Sequence, residues 1–224
     1  MPKFLTGNAL KLLAALFMTI DHIGVMLFPR ILLLRILGRL ALPIFAYMIA
    51  EGCKYTRNKA KYFGMIFALA VLCQTVYFLV DGTLYLSILF TFSLSILTIY
   101  ALQHLKQRKN LCSALVFAGT LAAVWGLNQV FTIDYGFWGC MLPVFAAIFH
   151  STKKDRLPVS VGMLGIGLVL LSLDLGDSIQ ILSLAALPLL LCYSGKRGQL
   201  NLKYFFYIFY PAHLALLQVI AWLL

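Results

Sequence analysis

Charge is scarce in this 224-residue chain. Only 11% of its residues are Asp, Glu, Lys or Arg, less than half of the roughly 25% usual in a soluble domain. Acids are the rarest, 7 against 18 basic residues, which leaves a formal net charge of +11. With 62% hydrophobic residues and a mean hydropathy of +0.95, there is too little polar surface to cover one water-soluble core. An ordinary soluble enzyme, a disordered chain and a secreted disulfide scaffold are thereby excluded. Cysteine is sparse too: Cys53, Cys73, Cys112, Cys140 and Cys192 form no CxxC pair and lie in or beside apolar runs. They read as small buried apolar residues, so neither a metal site nor a disulfide framework is expected. A P-loop, a GxGxxG turn, a zinc signature and a GxSxG elbow are all missing. ATP hydrolysis, nicotinamide chemistry and serine hydrolysis therefore have no support.

What is present is a succession of apolar runs near the 20 or so residues that a membrane-spanning helix needs. They fall at about 6–28, 31–53, 61–80, 84–104, 112–129, 135–150, 158–173, 178–193 and 202–223. The expected fold is a single all-α domain over 1–224, a polytopic transmembrane bundle of about nine spans, with eight to ten allowed by the short segments between 112 and 193. Two of those short segments are candidates for re-entrant or differently tilted helices. The first run is not a cleavable signal: it is too long, carries Lys11, Asp21 and His22, and lacks a small-residue cleavage site.

The remaining charges alternate between the ends of the spans. Basic clusters follow span two (Lys54, Arg57, Lys59, Lys61), span four (Lys106, Arg108, Lys109), span six (Lys153, Lys154, Arg156) and span eight (Lys196, Arg197, Lys203). The intervening turns hold Asp81, Asp134, Asp174 and Asp177, with Arg30 the one basic exception. Basic loops stay in the cytoplasm, which puts the N-terminus inside and the C-terminus outside. This clustering reports orientation and not nucleic-acid binding.

Several ionisable groups nevertheless fall within the spans: Lys11, Asp21, His22, Arg35, Arg39, Glu51 and His213. Each costs a few kcal/mol at bilayer depth, so such groups face partners or a watery cavity and serve function. For Lys11 and Glu51 the structural alternative is snorkelling to a nearby cytoplasmic end. Lys11 and His22 lie eleven positions apart, about three turns, so they share a helix face roughly 16 Å apart along the axis. Asp21 points about 100° away, toward a neighbouring helix, where Arg35 or Arg39 would meet it. Those arginines are four apart on one face, and Pro43 removes the hydrogen bond to the Arg39 carbonyl. The pattern reads either as a polar cavity or as an Asp–Arg staple between helices. In the last span Tyr204, Tyr207, Tyr210 and His213 recur every third residue, and Pro211 frees the carbonyl of Tyr207. Tyr204 suits an interfacial belt, whereas Tyr210 and His213 lie deeper. Histidine is the side chain best matched to proton transfer near neutral pH, so His22 and His213 are two candidate bases.

The strings GNALKLLAALFMTIDHIGVMLFP, GRLALPIFAYMIAEGCKYTRNKAKYF, FTFSLSIL, IDYGFWG and YFFYIFYPAHLALL resemble, in order and over most of the chain, the TraX family of bacterial membrane proteins. DHIG, GRLALPIFAYMIAEG and FYPAHL are the specific ones. The resemblance implies an acetyltransferase of the bacterial inner membrane, related to the acyltransferase type 3 enzymes. The donor would be cytoplasmic acetyl-CoA, and the acceptor a peptide amine or a glycan or lipid hydroxyl. The larger family carries an arginine with a histidine eleven positions later in its first span, and here Lys11 and His22 hold that spacing. Lysine keeps the charge but loses the planar fork. The site implied is catalytic at His22, Asp21, His213 and Tyr210. Positive charge for the coenzyme would come from Lys11, Arg35 and Arg39, with Arg57 and Lys61 at the mouth. Glu51, Asp134 and Tyr135 are candidates for the acceptor, with helix N-capping the plainer role for Asp134. A proton-coupled small-molecule transporter is the alternative, since buried Asp, His, Arg and Glu also build proton paths.

Overall fold

The computed structural model describes residues 3–149, 156–200 and 202–223, so the expected loop cations Lys153 and Lys154 lie outside the described residues. Among the described residues the chain is helical, with only two isolated β-bridges, Leu5 to Tyr193 and Leu86 to Ile133. The helices are α1 (Gly7–Met26), α2 (Leu32–Gly38), α3 (Ala41–Tyr55), α4 (Lys59–Asp81), α5 (Ile88–Arg108), α6 (Leu111–Val130), α7 (Gly136–Ile148) and α8 (Leu157–Leu175). A 3₁₀ helix (Gln180–Ala186), α9 (Leu187–Leu191) and α10 (Lys203–Leu223) follow.

Among the described residues, seven helical segments are long and apolar enough to cross a bilayer, counting Leu32–Tyr55 as one. The surface fits that use: Leu79, Val130, Leu111 and Leu173 are all strongly exposed, as side chains facing acyl chains are. The chain is thus a multi-pass membrane protein. Two of the nine expected spans are shorter than anticipated. Residues 131–135 turn before α7 begins, with Tyr135 left-handed at φ 60°, so only 13 residues remain helical. The run at 178–193 divides into a 3₁₀ segment and a five-residue helix with Pro188 in its first turn. Thirteen residues rise about 20 Å, short of the roughly 30 Å hydrocarbon core.

The second expected span is broken as well. It stops at Gly38 and restarts at Ala41, which places Pro43 in the first turn of α3, where a missing N–H costs nothing.

The chain forms two compact units, residues 1–45 with 175–224, and residues 46–174. In the second unit α5 is the central helix, packed against α4, α6 and α7. Its small polar residues are buried and satisfied locally: Ser93 donates to the Leu89 carbonyl at 2.8 Å and Thr98 to that of Leu94 at 2.9 Å. Two others tie α5 to α7. Thr91 donates to the Asp134 carbonyl at 2.7 Å, and the Ser95 hydroxyl lies 2.7 Å from the Cys140 carbonyl. The FTFSLSIL string is therefore the seam on which α7 lies, parallel to α5. Gly139 is part of the same fit, because a Cβ there would run into the Tyr135 side chain and touch Thr91. At the far end Lys106 Nζ donates to the Ala147 carbonyl at 3.2 Å and also to that of Ile148. An ammonium on carbonyls of the last turn both hydrogen-bonds them and complements the helix dipole. Lys106→Met should lower unfolding stability in detergent by about 1 kcal/mol, the worth of an ordinary hydrogen bond, because solvent screens the exposed ammonium. Lys106→Arg should retain most of it. A methionine variant as stable as the parent would remove this role.

Candidate functional site

The first unit brings the two ends of the sequence together. Thr6 caps α1 by accepting from the Ala9 N–H at 3.2 Å, as a threonine at a helix N-cap does. The backbone before it pairs with the segment ahead of α10. Leu5 N–H donates to the Cys192 carbonyl at 3.0 Å, Ser194 N–H to that of Leu5 at 2.8 Å, and Gly7 N–H to that of Lys196 at 2.8 Å. Asn8 adds a side-chain bond to the Leu200 carbonyl at 2.6 Å. With its start so fixed, α1 packs against both α2 and α10.

His22 on α1 and His213 on α10, 191 positions apart, meet ring to ring, with His22 Nδ1 3.1 Å from His213 Nε2. Proton placement follows from what surrounds them. His213 Nδ1 lies 2.9 Å from the Phe209 carbonyl, which can only accept, so that nitrogen carries the hydrogen. Nε2 of a neutral His213 is then an acceptor, and the contact is completed by an N–H on His22 Nδ1. A neutral His22 therefore keeps Nε2 as its proton-accepting atom. The Phe209 ring stacks on His213 at 5.0 Å between centroids, and Tyr210 meets it edge-on at 5.8 Å. His213 and Tyr210 are buried, while Tyr204 is exposed, as expected of an interfacial tyrosine.

Asp21 turns from His22 toward α2, where Arg35 Nη1 lies 2.8 Å from its carboxylate. Gly38 makes this possible, since a Cβ there would land on the Asp21 side chain. Gly24, the glycine of DHIG, likewise lets α2 approach: a Cβ would stand 2.8 Å from that of Leu34. The glycines in these strings are thus close-packing positions between α1 and α2. Arg39 pairs with Asp177 at 3.8 Å. Lys11 is directed over the Phe206 ring at 5.9 Å, three turns toward the start of α1.

The other expected residues belong to the second unit. Glu51 is buried and lies 3.9 Å from Lys54 one turn on. Arg57 precedes α4 and Lys61 is in its first turn, its N–H held by the Asn58 side chain at 2.8 Å. Asp134 accepts from the Tyr85 hydroxyl at 2.6 Å, and Tyr135 enters α7 in the left-handed region. Among the described residues no group of three or more His, Cys, Asp or Glu is placed to hold a metal ion.

Sequence reasoning missed Asp177 as the partner of Arg39, and it missed Gln180 and Ser183. Both are fully buried, without a hydrogen-bond partner for their side-chain polar atoms among the described residues. For Gln180 and Ser183 the signal was their spacing, since residues three apart eclipse one another in a 3₁₀ helix. Only a 3₁₀ reading of the segment would have shown it.

Comparison with known proteins agrees with the strings. The chain is 27% identical to the probable fimbrial assembly protein FimC, serogroup H1, of Dichelobacter nodosus, over 93% of this chain and 92% of that one. It is 50% identical over 40 residues, 18% of its length and 16% of the other's, to the uncharacterized protein RP591 of Rickettsia prowazekii (strain Madrid E). No solved structure matches. The family described as TraX protein matches residues 6–221, from the cap of α1 to the end of α10. The chain belongs to the TraX family.

Proposed function

We propose that this chain is a membrane-embedded acetyltransferase that moves an acetyl group from cytoplasmic acetyl-CoA to an acceptor within or across the bacterial inner membrane. The observation that carries the reading is the His22–His213 contact, with its polarity set by the Phe209 carbonyl. Acyl transfer needs a base for the acceptor's proton and donors or positive charge for the oxyanion. His22 Nε2 takes the proton as the acceptor nitrogen or oxygen attacks the thioester carbonyl. The carbon–sulfur bond then breaks, and the imidazolium returns the proton to the departing thiolate. His213 accepts from Nδ1 of His22, which holds the ring in one tautomer and stabilises it when charged. Tyr210 packs beside the pair, and Asp21 with Arg35 locks α1 against α2.

The coenzyme's phosphates need cations on the cytoplasmic side. Arg35 and Arg39 face acids and Lys11 lies over Phe206 nearer the start of α1; all three are candidates for the phosphates. The exposed Lys196 and Arg197 join them on the segment bonded to the start of α1. On the resemblance of the sequence alone, Arg57 and Lys61 are candidates for the coenzyme's phosphates, and Glu51, Asp134 and Tyr135 for the acceptor. The name of the Dichelobacter relative supports a pilus subunit's amine as acceptor; a glycan or lipid hydroxyl is the other class. The parallel seating of α7 on α5 supports both helices running from the outer side inward, in keeping with the N-inside, C-outside orientation.

The test is direct. Purified protein in detergent, given acetyl-CoA labelled in the acetyl group, should bind it and release or transfer the label. Absence of coenzyme binding at millimolar concentration would favour proton-coupled transport by the same buried charges.

A further inference from the structure

The second unit contains a cavity of about 540 Å³ unrelated to the histidine pair. It is walled by Trp125, Phe137, Trp138, Asn128 and Asp174, with the chain from 129 to 133 completing it. Asp174 is the one charged side chain among the lining residues, and it has no ion-pair or hydrogen-bond partner among the described residues. The Asn128 amide has a fixed sense. Its Nδ2 donates to the Val124 carbonyl at 2.8 Å, which leaves Oδ1, buried and without a hydrogen bond, as the atom on offer. Gly136 lies between the two, at φ 57°. A Cβ added there would stand 4.0 Å from both Asn128 Oδ1 and Asp174 Oδ2, so two acceptor oxygens face one space that a side chain would fill. The end of α6 at Val130 and the end of α8 at Leu175 reach this region. Their terminal carbonyls add negative potential, against the single helix start of α7.

Such a site is built for a cation. One carboxylate and one amide oxygen fall short of the six to eight oxygens that a calcium ion takes. Two indole rings and a carboxylate lining one cavity suit an organic ammonium, which can gain from both the charge and a ring quadrupole. We infer that this cavity binds an alkylammonium group, with Asp174 countering its charge, Asn128 Oδ1 accepting one N–H, and Trp125 and Trp138 flanking it. Helix ends meet the bilayer at headgroup depth, so the group is carried either by a free amine or by an ethanolamine lipid. The inference does not depend on acetyl transfer.

The chain has 3 tryptophans, and Trp222→Phe leaves Trp125 and Trp138 as the reporters. In nanodiscs of phosphatidylglycerol, ethanolamine should change the tryptophan emission saturably. Asp174→Asn should weaken that response about tenfold or more, the effect of losing one charge partner worth about 1.4 kcal/mol, while thermal unfolding stays unchanged. Discs containing phosphatidylethanolamine distinguish the sources. An emission already shifted and unresponsive to ethanolamine identifies the lipid, and a response equal to that in phosphatidylglycerol identifies a free amine. Equal titrations for parent and Asp174→Asn, or no response from the parent in phosphatidylglycerol, would overturn the proposal.

Discussion

His22→Ala should reduce acetyl transfer by about 10²–10⁴-fold, the usual contribution of a positioned base, with the protein still folded and eluting as the parent does. The expectation follows from the geometry of the pair. Nδ1 of His22 is occupied by His213, so Nε2 is the ring atom of His22 left to accept a proton. The companion variants separate chemistry from packing. His213→Gln keeps an acceptor facing His22 and should lose much less than His213→Leu, which removes the acceptor and leaves the His22 N–H unsatisfied. The measurement is initial rate against acetyl-CoA concentration. A loss confined to kcat places the pair in the reacting step, whereas a loss confined to KM moves it to binding. Full turnover by His22→Ala would remove this residue from the mechanism.

The second large effect concerns stability. Asp21 and Arg35 are paired at 2.8 Å with side chains only 17% and 26% exposed. Removing either alone strands a charge, at a cost of about 3 kcal/mol or somewhat more. Asp21→Leu and Arg35→Met should therefore each lower unfolding stability by about that amount. The double variant should recover most of it, because an apolar pair of similar volume often matches a buried ion pair. Gly38→Ala should resemble the single variants, since its methyl group displaces the same carboxylate. Thermal unfolding in detergent distinguishes these outcomes: additive losses in the double variant would show that the two residues act separately.

How much of this was visible in the sequence depended on the range of the interaction. Long apolar runs marked the helices because a bilayer demands about 20 apolar residues of any span. The helix faces of Lys11, Asp21 and His22 followed from 100° per residue, and the turn of Asp21 away from His22 toward α2 is what the structure shows. The choice between Arg35 and Arg39 was not legible. It depends on the break at Gly38–Ala41, which places Arg35 beside Asp21 and leaves Arg39 to Asp177. The meeting of His22 with His213 was equally hidden, since no local pattern encodes a contact across 191 positions. The 3₁₀ geometry at 180–186 escaped because an apolar run looks the same at three residues per turn as at 3.6. FTFSLSIL looked uninformative as text, yet its hydroxyls hold α7 on α5.

The stitching of residues 5–8 onto 192–200 also bears on biosynthesis. Chains emerge N-terminus first, so the first helix must wait in the bilayer, its DHIG histidine without a companion, until the last helix is made. A translation product released before residue 213 has no histidine pair at all. On the acetyl-transfer reading proposed above, activity would therefore begin only once α10 has been made and has met α1.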